Sequence, residues 1–155
     1  MRIAGEAVLN VPVAQVWDAL LNPHVLVGTI PGCDGLVREG DHQYGMTVTA
    51  GFAAVRGTCT GRYELQDLQP HETLTLKAAC AGAPGTIDAG VRVELADRGY
   101  GRTLLRYDAD AVVGGMIGLV GRRMLTSVSK RMANEFFSNI EQAITAPAEV
   151  LAWGR

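Results

Sequence analysis

Between Asp108 and Ile144 the hydrophobic period of the sequence changes once, and that change constrains the fold more than any other feature. Alternation ends at Val112-Val113 and runs into Gly114-Gly115. From there Met116, Ile117, Val120, Met124, Val128, Met132, Phe136, Ile140 and Ile144 recur mostly three and four residues apart. This spacing predicts one apolar face on a helix of about eight turns, at about 3.6 residues per turn. Apart from a short insert at 12–30, everything before it reads as strands. A long C-terminal helix laid across a curved antiparallel sheet makes a grip, and a grip can leave a hollow between helix and sheet.

The strands follow from period-two patterns. Ile3, Gly5, Ala7 and Leu9 face one way in the first. Pro12 suits a helix start, with Val13, Val16, Trp17 and Leu20 as its buried face and Asn22-Pro23 as its stop. A second helical piece spans His24 to Thr29 and ends at Pro31-Gly32. A meander follows, punctuated by Pro70-His71-Glu72, Gly82-Ala83-Pro84-Gly85 and Asp97-Arg98-Gly99. Its dry positions are Tyr44, Met46, Val48, Ala50 and Phe52, then Cys59, Gly61, Tyr63 and Leu65, then Leu74, Leu76, Ala78 and Cys80. Ile87 to Leu95 and Leu105 to Val113 continue the alternation, while Thr, Arg, Glu and Asp fill the opposite positions. One dry and one wet face fit an antiparallel sheet covered on one side. The expected class is α+β: about seven strands in a curved antiparallel sheet, two short helices after the first strand, and one long C-terminal helix. The expected organisation is one domain over 1–145 and a loose tail over 146–155.

Composition narrows the function. A net charge of −2 gives no reason to expect a nucleic-acid partner. No apolar run approaches the roughly 20 residues that span a bilayer, and no apolar segment of signal-peptide type follows Met1-Arg2. The chain is therefore expected in the cytoplasm. Cys33, Cys59 and Cys80 are odd in number, widely spaced and free of CxxC, which reads as three reduced thiols. The 19 glycines fall within strands and at turns, which suits a strongly bent sheet.

Residues that could carry chemistry are sparse. His24, His42 and His71 lie far apart in loops or turns, whereas a metal site needs clustered ligands. Cys33 has no base fixed near it by sequence, so it reads as structural. Asp108 and Asp110 share the wet side of one strand and read as solvated acids. Gly114-Gly115 with Gly118 and Gly121 lacks the lysine and the βαβ setting of a phosphate loop. Four glycines in eight residues soften the start of the helix, since each costs about 0.5–1 kcal/mol relative to alanine. Two readings of that softness stay open: close packing of helix on sheet, or a lid that shifts to admit a ligand. Arg122, Arg123, Lys130 and Arg131 make one side of the helix basic. That side is a solvated face or a contact for anionic lipid or an acidic partner.

Four segments, taken in order, resemble one family. They are Val16-Trp17-Asp18-Ala19-Leu20-Leu21-Asn22-Pro23, Ile30-Pro31-Gly32-Cys33, Gly57-Thr58-Cys59-Thr60-Gly61, and Val113 to Gly121. They resemble the CoxG-like family, the G subunit of carbon monoxide dehydrogenase, within the START-like (SRPBCC) helix-grip superfamily, over about residues 2–144. The resemblance implies a non-enzymatic binder of a lipophilic ligand held between sheet and long helix. It further implies partnership with a molybdenum hydroxylase such as aerobic carbon monoxide dehydrogenase, and recruitment of that enzyme to the membrane or handling of a quinone acceptor. It implies no catalytic residue, metal or cofactor. Many relatives carry a longer linker and a membrane-seeking tail; only 146–155 follow the helix here, which lends that mode of attachment no support.

On this reading Tyr44, Met46, Val48, Phe52, Cys59, Tyr63, Leu76, Val91, Tyr107 and Ala109 should line the hollow from the sheet. Met116, Leu119, Val120 and Met124 should line it from the helix. Apolar walls with few polar groups suit a quinone-like or lipid-like molecule, methionines adapt to irregular shapes, and a buried tyrosine hydroxyl seeks a partner such as a quinone carbonyl. Two other readings stand beside it. One is a cyclase- or hydrolase-like enzyme of the same superfamily, and the other an assembly protein with a fully packed core. The location expected is cytoplasmic, with peripheral contact at the inner face of the membrane.

Overall fold

The computed structural model describes residues 1–52 and 55–145, with the side chains of Ala50 and Phe52 left undescribed. The expected tail at 146–155 therefore lies outside the described residues, as does the side chain of Phe52. The first strand, β1 (Arg2–Leu9), leads into helix α1 (Val13–Leu21) and helix α2 (Pro23–Thr29). Strands β2 (Cys33–Gly40), β3 (Gln43–Phe52), β4 (Val55–Gln69), β5 (Thr73–Gly82), β6 (Gly85–Gly99) and β7 (Arg102–Gly114) form the meander. A single-turn helix α3 (Gly115–Leu119) and the long helix α4 (Arg122–Thr145) close the described chain.

All seven strands make one antiparallel sheet in the order β1-β7-β6-β5-β4-β3-β2. The meander places each strand beside its sequence neighbour. β1 docks against the last strand, with Ile3 opposite Ala109 and Leu9 opposite Thr103. α1 and α2 then carry the chain from that edge to β2 at the other. Asn22 both ends α1 and starts α2: its side-chain oxygen accepts from the His24 N–H at 2.9 Å, and Pro23 follows in the first turn, where a missing N–H costs nothing. The Thr103 hydroxyl donates to the buried Val11 carbonyl at 2.8 Å, fixing the turn into α1.

The strand faces are as the alternation predicts. Ile3, Leu9, Tyr44, Tyr63, Leu65, Leu74, Val93, Leu95, Leu105 and Tyr107 join Val16, Trp17, Leu20, Leu26, Phe137 and Ile140 in the main core. A second, smaller apolar cluster of Val55, Ile117 and Leu125 sits under α3. The opposite face carries ion pairs such as Arg2 with Asp108 and Arg106 with Glu6. This is the helix-grip arrangement.

Two expectations change. The segment after Gly115 is two helices rather than one. Val120 and Gly121 separate them, and Gly121 takes a φ of 103°, which an L side chain rarely adopts. Beyond the break α4 buries Leu125, Val128, Phe137 and Ile140, while Met124 is exposed and Met132 is only partly covered. Second, Cys59 and Cys80 are joined as a disulfide, and only Cys33 is free. The reading as three thiols missed it because pairing depends on register: Cys59 lies opposite Gly82 and Cys80 opposite Gly61, on adjacent strands.

Candidate functional site

Two hollows lie between the concave sheet face and α4. The larger, about 420 Å³, is walled by Met46, Val48, Cys59, Ala78, Cys80 and Ile87 from the sheet. Ile30-Pro31-Gly32 closes one side, Ile117 of α3 another, and Val128, Arg131, Met132 and Glu135 of α4 a third. It touches both apolar clusters, through Met46 on one side and Ile117 on the other. The Ile30-Pro31-Gly32 wall is held by the sheet and by α4. Gly32 has a φ of 77° and accepts from the Thr49 N–H at 2.8 Å, and a side chain there would strike the Thr49 carbonyl. The Asn139 side chain of α4 donates to the Thr29 carbonyl at 3.1 Å.

The smaller hollow, about 220 Å³, is lined by Tyr63, Leu65, Leu74, Leu76, Val91, Val93, Tyr107 and Ala109 of the sheet. Ser129, Ala133, Phe136 and Phe137 of α4 cover it. The two hollows occupy successive positions on the same elements: Cys59 then Tyr63 on β4, Ile87 then Val91 on β6, Val128 then Ser129 on α4. A space of this combined kind, apolar with few polar groups, suits a lipophilic ligand.

The polar side chains of the walls are Tyr63, Tyr107 and Ser129 in the smaller hollow and Thr49, Arg131 and Glu135 in the larger. Tyr63 is buried, tilts against Tyr44 with ring centres 5.9 Å apart, and lines the smaller hollow. Burial holds its pKa far above the ordinary tyrosine range, and the neighbouring Tyr44 adds to this. Among the described residues its hydroxyl has no hydrogen-bond partner, yet no unpartnered side-chain oxygen is sealed in the packing. The Tyr63 side chain thus lines the smaller hollow with its oxygen not sealed in the packing. Tyr107 packs on Phe137 at 5.4 Å, and burial raises its pKa as well. Arg131 and Glu135 stand one turn apart on α4 as the charged residues of the larger hollow's wall.

Of the residues expected to line the site, Met46, Val48 and Cys59 wall the larger hollow, and Tyr63, Leu76, Val91, Tyr107 and Ala109 the smaller. Tyr44 lies behind Tyr63 as core. Phe52 lies outside the described side chains. The helix residues are corrected: Met116, Leu119 and Met124 are exposed, and Val120 packs at the edge of the small cluster under α3. Met116 and Leu119 lie on the outer side of α3, opposite the buried Ile117, and Met124 follows the helix break at Gly121 in the first turn of α4. Of the α4 positions that do line the hollows, Val128, Met132 and Phe136 lie on the apolar stripe read from the sequence but were not assigned to the site, while Ser129 and Ala133 lie off it. Among the described residues no group of histidine, cysteine and carboxylate side chains could hold a metal ion. Cys33 is half-buried and burial raises its pKa, which disfavours the thiolate. No helix among the described residues is long and apolar enough to cross a membrane.

Comparison with known proteins agrees with this geometry. No curated protein matches the chain. Among solved structures, a conserved protein from Geobacillus kaustophilus is 31% identical, with a TM-score of 0.89 over 93% of this chain and 95% of that one. A START superfamily protein from Mycobacterium smegmatis superposes with a TM-score of 0.72 at 11% identity, covering 92% of this chain and 96% of its own. The Zhui aromatase/cyclase from Streptomyces sp. R1128 gives 0.65 at 17% identity, over 94% and 96%. Those last two likenesses establish the START-like fold and nothing finer. The model of the CoxG family, described as the G subunit of carbon monoxide dehydrogenase, matches residues 5–145, and the chain belongs to that family.

Proposed function

We propose that this chain is a non-enzymatic binder of a small lipophilic molecule, quinone-like or lipid-like, held in the hollows under α4. The observation that carries this reading is the pair of largely apolar hollows between sheet and α4, with Tyr63 in the wall of the smaller. A tyrosine in the wall of an apolar space has a hydroxyl that seeks a partner, and a ligand carbonyl would supply one. The ring of such a ligand would sit by Tyr63, with its tail along the larger hollow toward Arg131, Met132 and Glu135. Family membership supports an accessory role beside a molybdenum hydroxylase such as aerobic carbon monoxide dehydrogenase. In that role the chain would link the enzyme to the membrane or its quinone pool, working in the cytoplasm with peripheral contact at the inner membrane face.

An aromatase/cyclase shares the fold, but the charged residues of these walls are Arg131 and Glu135, and a guanidinium that stays protonated makes no general acid–base pair with the carboxylate. Mass spectrometry of organic extracts of the purified protein, followed by titration with the extracted compound, tests the reading. A bound lipophile that rebinds supports it. An empty protein that takes up neither quinone nor lipid probe would sink it.

A further inference from the structure

We propose that the α3–α4 corner is a docking surface for an anionic lipid bilayer, beside the larger hollow. The corner has an inside and an outside. Ile117 turns inward, packs with Val55 and Leu125, and walls the larger hollow. Met116 and Leu119, on the same single-turn helix, turn outward at 49% and 85% exposure, and Met124 in the first turn of α4 is 46% exposed. Single exposed apolar side chains are ordinary on a soluble surface. Three within nine residues, flanking a glycine turn, form a protruding apolar tip.

The charge around that tip selects the partner. Residues 111–134 hold Arg122, Arg123, Lys130 and Arg131 and no aspartate or glutamate, in a chain whose net charge is −2. None of the four joins an ion pair among the described residues. On the sheet, by contrast, Arg2, Arg38, Arg62, Arg92 and Arg106 each stand against an acid. Apolar side chains beside Arg122 and Arg123, with Lys130 and Arg131 further along the same helix, match the acyl and headgroup layers of an anionic leaflet. An acidic protein partner would leave the Leu119 tip without a counterpart. Docking here brings the rim of the larger hollow to the bilayer, a consequence that rests on the lipophilic-binder reading; the docking itself is read from the surface alone.

The test is co-sedimentation of the full chain with vesicles of phosphatidylcholine alone and of phosphatidylcholine mixed with phosphatidylglycerol. Binding should require the anionic lipid and weaken with salt. Arg122→Gln with Arg123→Gln should lower the partition coefficient on the order of thirty-fold. Leu119→Ser should lower it about ten-fold. Val37→Ser, at an exposed site on β2, should leave it unchanged. Melting temperatures show that each variant is folded. No binding to either vesicle, binding indifferent to the corner variants, or capture by polyglutamate but not by vesicles would each overturn the proposal. Titration with a short-chain quinone without vesicles reads the hollow separately, so either idea can fail while the other stands.

Discussion

Cys59 and Cys80 join β4 to β5 across the wall of the larger hollow, with Cα atoms 5.6 Å apart and a glycine opposite each. Thiol titration of the native protein should find one reactive group, Cys33, and three after reduction under denaturing conditions. Cys80→Ser should lower unfolding free energy by about 2–4 kcal/mol, since the cross-link restrains the unfolded chain, as read by urea denaturation. Three free thiols in freshly lysed cells would mean that the working form is the dithiol, as a reducing cytoplasm favours.

Trp17 is buried in the main core and meets His71 edge-on at 6.2 Å. Trp17→Ala should destabilise the fold by roughly 3–5 kcal/mol. A melting temperature that barely moves would show that α1 does not anchor to the sheet as described.

The sheet was legible because period two survives every substitution of one apolar residue for another, so Cys59, Tyr63 and Leu65 fell on the correct face without knowledge of neighbours. α4 was half legible. Val128, Phe136, Ile140 and Ile144 fell on the packed side as read, but the break before α4 rests on Gly121, whose left-handed conformation no periodicity reveals. Drawing the stripe straight through that residue put Met124 inside and left Leu125 unnoticed. The disulfide was invisible for a different reason. Two cysteines 21 residues apart become neighbours only through strand register.

Tyr63→Phe removes a hydroxyl from the wall of the smaller hollow. Binding of a quinone should weaken by about 0.5–1.5 kcal/mol, the net worth of a neutral hydrogen bond, while binding of a hydrocarbon probe and the melting temperature stay level. Equal loss for both probes would mean that the ring packs the site and the hydroxyl does nothing.

The same tyrosine sets an alkaline limit. Its folded pKa is raised by burial, while in the unfolded chain it titrates at about 10. The folded state therefore holds the proton longer. The resulting stability is intact below about pH 10 and is lost as pH climbs toward the folded value. Tyr107 contributes in the same direction. Denaturation midpoints measured across this range should fall with pH in the wild type and fall less steeply in Tyr63→Phe.

The two hollows can be told apart by filling them separately. Ala109 faces the smaller and Ala78 the larger. Ala109→Phe should displace the ligand ring from Tyr63 and abolish binding of short- and long-tailed quinones alike. Ala78→Phe should obstruct the tail, weakening a long-tailed quinone much more than a short one. A ring entering existing void displaces few packed atoms, so stability should change by less than about 1.5 kcal/mol in either variant. Leu119→Ser, which points away from both spaces, should leave binding in free solution untouched. If Ala78→Phe and Ala109→Phe both unfold the protein, the space under α4 is solid core, and the binder reading loses its physical basis. If both fold and bind normally, the ligand lies elsewhere.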